Sequence, residues 1–256
     1  MTKQTDAPTL LECPDKTTVA AGIFYALLSL FVVPYYLRLM MIMDDWEPVA
    51  ISWYEFAYHL INFIAVVLLF REFLWDAFIM FRLQARDILA EIKFAAIGIV
   101  VTVGALYVLA GVWEDTEWLS LAAWCALPMS ETEWLFFSGD LVYYNPLGGG
   151  ICAIVLAPVT ISCLYYCVGF VPAFNRRPWL GYVTIAGMIA CVHIRNAINV
   201  STPATELVAF AAQLPIHLMA CRAFRKADNI FAPILTLSLA NLLAAGRIFL
   251  LLLGGN

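Results

Sequence analysis

Apolar residues arrive in seven runs long enough to cross a bilayer, separated by short polar stretches: Val19–Met43, Tyr54–Phe70, Phe94–Val112, Gly150–Val171, Trp179–His193, Leu207–Phe224 and Ile230–Leu253. A helix needs about 20 such residues to span the hydrocarbon layer. Because lipid cannot satisfy a free N–H or C=O, runs of this length predict helices that bond internally. The expected fold is therefore all-α, a polytopic transmembrane helical bundle of about seven spans. The composition agrees, with 63% hydrophobic and 13% charged residues, where a soluble domain holds about 45–50% apolar and about 25% charged. Seven spans use roughly 140 positions, which leaves too little chain for a separate aqueous domain. Residues 1–18 read as a cytoplasmic tail and 19–256 as one transmembrane domain.

Two further stretches carry helical patterning without the composition of a span. Glu117–Pro128 sets Trp118, Leu121, Ala122, Trp124 and Cys125 beside acidic neighbours, and reads as an interfacial helix in the headgroup region, with an eighth, tilted span as the alternative. Glu72–Glu91 mixes Trp75, Phe78, Ile79 and Leu83 with Arg82, Arg86 and Asp87, and reads as a cytoplasmic extension of the second span. Cytoplasmic segments collect Lys and Arg. With the N-terminus inside and seven alternating spans, the inner segments hold eleven of the fourteen basic residues. The outer side keeps Arg38, Arg195 and Arg247 and is acidic and aromatic. This arrangement puts the C-terminus outside. The polar start, with Asp6, Glu12 and Asp15 beside Lys3 and Lys16, does not have the form of a signal peptide.

Several function classes fall away on composition. A net charge of −5 without a basic run excludes a nucleic-acid partner, since phosphate binding needs a basic stripe. Five of the cysteines (Cys152, Cys163, Cys167, Cys191 and Cys221) lie in apolar runs, and Cys13 and Cys125 have no spaced partners. All read as free, buried thiols. His59, His193 and His217 lie on three different spans in no metal-ligand spacing, so neither zinc nor any other cofactor is implied. Ser162 with His193 has no nucleophile elbow and no evident orienting acid, and there is no P-loop or GxGxxG. No internal repeat, low-complexity tract or flexible linker divides the chain.

The candidates for function are the polar groups inside apolar runs, each costing roughly 2.5–3.5 kcal/mol at mid-bilayer unless it faces the bundle interior or water. They are Glu55, His59, Asn62, His193, Arg195, Asn196, Asn199, Gln213, His217, Asn241 and Arg247. Glu55, His59 and Asn62 fall four and three residues apart, on one face of the second span. That face is either a proton or ligand site or a hydrogen-bonded seam between helices. His193, Arg195, Asn196 and Asn199 gather at the outer end of the fifth span, where Arg195 can snorkel to the interface.

Four blocks then point to a family: Leu156–Tyr166, Phe174–Trp179, His193, and Asn229–Asn241. Their order and spacing, over about residues 150–245, resemble the CPBP family. These are the type II CAAX prenyl endopeptidases and the bacteriocin-processing and immunity proteins, built as intramembrane helical bundles. The resemblance implies a bacterial plasma membrane and a catalytic signature of two adjacent Glu, an Arg four residues later, a His, and a second His followed by Asn. On this chain Ile161 and Ser162 stand where the two Glu belong, Tyr166 where the Arg belongs, and Leu237 where the second His belongs. His193 and Asn241 match. A general acid or base contributes about 10²–10⁴ in rate, and groups acting as a unit fail together.

The expectation is thus a non-catalytic pseudopeptidase that binds a membrane peptide or protein partner, in an immunity, sequestration or chaperone role. Ser162, Tyr166, His193 and Asn241 would line its site. The alternative is an active intramembrane endopeptidase with a substitute carboxylate, Glu55 or Glu206, within about 4 Å of His193. A further alternative is a small transporter or sensor working through Glu55, His59 and Asn62, with Pro34, Pro158 and Pro233 as helix breakers.

Overall fold

Proline, asparagine and acidic side chains set the helix starts in the computed structural model, which describes residues 14–33, 47–112, 145–199 and 203–254. The first helix, α1 (Lys16–Leu27), begins on Asp15, whose carboxylate accepts hydrogen bonds from the amides of Thr17 and Thr18 and from both hydroxyls. These bonds occupy donors that a helix start leaves open. They also hold the Asp15 carboxyl down at about 2 from its ordinary 3.8, the Thr17 hydroxyl contributing most. A widened, π-type turn at Leu28–Val32 continues α1.

Next come α2 (Pro48–Leu69) and α3 (Arg71–Val112), separated by a break at Phe70. The amphipathic stretch Glu72–Glu91 therefore belongs to the third helix and not to the second. Its apolar face repeats in phase with the run that follows it, so one helix serves both, with a kink at Gln84. In α4, five pieces run without interruption: Pro146–Ile151, Cys152–Leu156, Ala157–Ile161, Ser162–Phe170 and Val171–Arg176. The second and fourth are π-type, and each lies just before a proline, Pro158 or Pro172. A proline ring clashes with the carbonyl four residues back, and a widened turn moves that carbonyl aside. Pro158 thus leaves α4 continuous.

The chain closes with α5 (Pro178–Asn199), α6 (Pro203–Ala227) and α7 (Phe231–Gly254). Pro233 sits in the first turn of α7, where a missing N–H costs nothing. Between α6 and α7, Asp228 takes a left-handed conformation at φ 45°, which Asp tolerates better than most residues. Buried Asn229 caps α7 by accepting from the Phe231 amide at 2.9 Å and ties the turn to α3 by donating to the Ala77 carbonyl at 2.8 Å.

The described residues are helical with no strand. Two helical segments, Val49–Leu69 and Leu147–Arg176, are long and apolar enough to cross a membrane, and Phe231–Leu242 is a shorter apolar segment. The segment Glu117–Pro128 and Pro34 lie outside the described residues. Helix α4 is central, packed on α1, α2, α5 and α7, while α6 packs on α3, α5 and α7. At Gly22 of α1 an added Cβ would fall 2.6 Å from Val168 Cγ2 and 3.0 Å from the Phe70 ring, so only glycine admits α1 this close to α4. Tyr165, Tyr166, Phe170 and Phe224 form the fully buried centre.

Candidate functional site

Helical spacing builds the site from one face of α6. Glu206, Gln213 and His217 are seven and four residues apart, so all three share a face, and all three are buried. That face meets α5 and α4. Glu206 Oε2 lies 2.6 Å from His193 Nδ1, and Gln213 Oε1 lies 3.1 Å from His193 Nε2. One turn on, the Tyr166 hydroxyl lies 2.9 Å from His217 Nδ1. Half-buried Arg195, two residues beyond His193, is within electrostatic reach of Glu206, Tyr58 and Tyr165. The interior carboxylate therefore has a cation to balance it, as a buried charge requires.

Both ring nitrogens of His193 are engaged. Facing two acceptor oxygens, the ring either carries both protons as an imidazolium against the Glu206 carboxylate, or accepts a proton held by Glu206 while donating to Gln213. In neither arrangement does a ring lone pair point at open space. Of the two carboxylates named for the endopeptidase alternative, Glu206 reaches His193. It lies well inside the roughly 4 Å which that alternative asks for, and this counts against the non-catalytic expectation. Glu55 sits on α2, within electrostatic reach of Cys152.

The other positions marked by the resemblance are interior too, but in separate hydrogen-bond sets. Asn241 Nδ2 donates to the Ala153 carbonyl at 2.6 Å and fastens α7 to α4. Its Oδ1 and the Ser162 hydroxyl have no hydrogen-bond partner among the described residues. Ile161 and Leu237 are packed in the apolar core. The structure thus brings Tyr166 and His193 to one polar face of α6 and puts Ser162 and Asn241 elsewhere in the interior.

The inner face of α2 carries Glu55, His59 and Asn62, all buried. Asn62 accepts from the Tyr25 hydroxyl of α1 at 2.6 Å and donates to the Tyr58 carbonyl at 2.8 Å, while the Tyr58 hydroxyl donates to the Ser29 carbonyl. The bonds from Tyr25 and to Ser29 stitch α2 to α1, and the bond to the Tyr58 carbonyl lies within α2. The side chains of Asn196, Asn199 and Arg247 lie outside the described residues. Cys152, Cys163, Cys167 and Cys221 are buried as expected, but Cys191 is exposed, because it falls on the outward face of α5.

Cys191 borders an apolar groove of about 430 Å³ between α1, α4 and α5, with Leu27 and Val168 on its walls and Gly169 and Gly187 on its floor. A Cβ added at Gly187 would meet nothing within 4 Å. Sequence reasoning named Glu206 as one of two carboxylates that could reach His193, and missed the partnership of Gln213 with the other ring nitrogen. Its signal was present as the repeat of polar residues on one face of an otherwise apolar helix. Compared with known proteins, the chain matches no family model, no curated protein and no solved structure.

Proposed function

We propose that this chain is a non-catalytic, multi-pass membrane protein on a CPBP-like frame, N-terminus cytoplasmic and C-terminus outside, that binds a transmembrane segment of a partner rather than cutting it. The observation that carries the reading is the closure of the polar interior. His193 is held on both nitrogens by Glu206 and Gln213, so the one retained histidine that could activate water is already bonded on both sides. With Ile161, Ser162 and Tyr166 at the acid and base positions the Glu pair and Arg of the family pattern are missing, and Glu206, the carboxylate that does reach His193, is engaged on its Nδ1. The apolar groove against α4 is the docking place. At Gly187, where an added Cβ would meet nothing within 4 Å, a partner backbone can approach closely, which is the main source of helix association where lipid is as apolar as the side chains.

A specific contact favours a second reading. The 2.6 Å approach of Glu206 to His193 is the arrangement of a base oriented by an acid, and release of Gln213 would free the far nitrogen for endopeptidase chemistry. Quantitative terminal-peptide mass spectrometry separates the two. Membrane fractions from cells with matched levels of wild type, His193→Ala and Gln213→Leu should give the same peptides. Cleavage products made by the wild type and lost in His193→Ala establish the second reading and overturn the first. A photo-crosslinker at Gly187 should capture a membrane protein, and one at Trp75, outside the groove, should not capture the same species.

A further inference from the structure

Helix α3 has 42 residues, about 63 Å at 1.5 Å per residue, roughly twice the hydrocarbon thickness of a bilayer. Half of it must lie outside that layer. The first half is charged, and its contacts show how it is placed. Ala77 is bonded to Asn229, Phe78 and Phe81 meet the Phe231 ring, and Glu91 pairs with Arg222 at 3.7 Å. The stretch from Ala77 to Glu91 is thus matched by only the short stretch of chain around the α6–α7 turn. It packs beside the α6–α7 turn and the last turns of α6, and α3 is kinked at Gln84.

The face turned to the bundle is apolar, with Ile88, Ile92 and Ala95 packed on Ala223 and Ala232. On the opposite face of the part beyond the kink, Arg86 and Lys93 recur at seven residues and share a row, and Arg82 stands just before the kink. All three are exposed, and none makes an ion pair among the described residues. Beside the row stand Trp75 at 64% exposure, Ile79 and Leu83 at 76%. The acidic residues of this half are Glu72, Asp76 and Asp87, all exposed, and Glu91, which faces Arg222. Exposed apolar rings and branched chains alongside unpaired cations are what a helix in the headgroup region presents to lipid: acyl chains take the former, phosphates the latter.

We propose that this face of α3 is a binding site for anionic phospholipid of the cytoplasmic leaflet, with Arg82, Arg86 and Lys93 on the headgroup phosphates and Trp75, Ile79 and Leu83 against the acyl chains. The site rests on the membrane reading and on the inward placement of α3. It is independent of whether the polar interior is catalytic.

The test uses the full chain, extracted from membranes in a neutral detergent and given an equimolar mixture of phosphatidylglycerol and phosphatidylcholine, with native mass spectrometry reading the lipids retained. The wild type should keep the anionic lipid by about tenfold or more. The variant Arg82→Gln/Arg86→Gln/Lys93→Gln, which keeps good helix formers, should keep both lipids alike. Arg176→Gln/Arg177→Gln, which removes two exposed charges from the end of α4, should behave as the wild type. Equal retention of both lipids by the wild type, unchanged preference in the triple variant, or loss of preference in the α4 variant overturns the site. Inorganic phosphate at equal concentration should not displace the lipid; displacement assigns the row to free phosphate instead. Failure of the chain to partition into membranes would defeat the membrane reading itself, and is scored before any lipid is added.

Discussion

Helices α2 and α4 are both long and apolar enough to cross a membrane, at mean hydropathy 1.3 and 2.2, yet α4 is 78% buried over its membrane-length window and α2 only 33%. In water such a difference would be written in the sequence, since an exposed face must be polar. Against lipid, a face turned outward and a face turned inward are both apolar, so hydropathy reports insertion and not position. The polar residues mark the inward face instead. On α2 they make a seam with α1 near a half-buried tyrosine, and around α4 they make a closed interior with α5, α6 and α7. Identical chemistry should therefore matter more at α4 than at α2.

The largest expected effect is that of Glu206→Ala, which leaves His193 and Arg195 without the carboxylate between them and should cost about 3–5 kcal/mol. Reversible unfolding in mixed micelles measures it, and a loss below 1 kcal/mol would mean that the pair is open to water and the interior is not closed. Next, Tyr166→Phe keeps the ring but removes the bond to His217 at a site with no exposure, for about 1–3 kcal/mol. Its counterpart on the seam, Tyr25→Phe, removes a bond of similar length from a half-buried place and should cost about 0.6 kcal/mol. Equal losses for the two tyrosines would erase the distinction between the helices.

Ser162→Ala should hold or raise stability by up to about 1 kcal/mol, because the hydroxyl removed has no hydrogen-bond partner among the described residues. A clear destabilisation would show that the hydroxyl is bonded after all. The smallest effect is at Asp15. A carboxyl lowered to about 2 in the folded helix stabilises the start of α1 above its ordinary 3.8, and that contribution is lost as pH falls through 2. Amide exchange at Thr17 and Thr18 should rise over this window relative to the rest of α1, and in Asp15→Asn the pH dependence should vanish.

Much of the bundle could be read from the residues. Apart from Phe70 and Ile230 at their edges, the apolar runs lie within helices wherever the structure describes them, and the blocks around Pro158 and Asn229 fall on the central helix and on the α6–α7 turn. The site was read less completely. His193 stood out because a lone polar group in an apolar run is costly, whereas Glu206, in the first turn of α6 like an ordinary acidic helix start, could be named only alongside Glu55 as an acid able to reach it. Only its phase with Gln213 and His217 betrays that it turns inward.

By itself the sequence determined that this chain folds as helices, where most of them run among the described residues, and which few polar side chains in apolar runs turn to the interior, because backbone satisfaction and the cost of burying charge act locally. Tertiary structure alone decided which helix lies at the centre, that Glu206 and not Glu55 meets His193, and that α3 carries the charged stretch after Phe70. Those outcomes depend on which apolar faces meet, and lipid and protein neighbours ask the same chemistry of such a face.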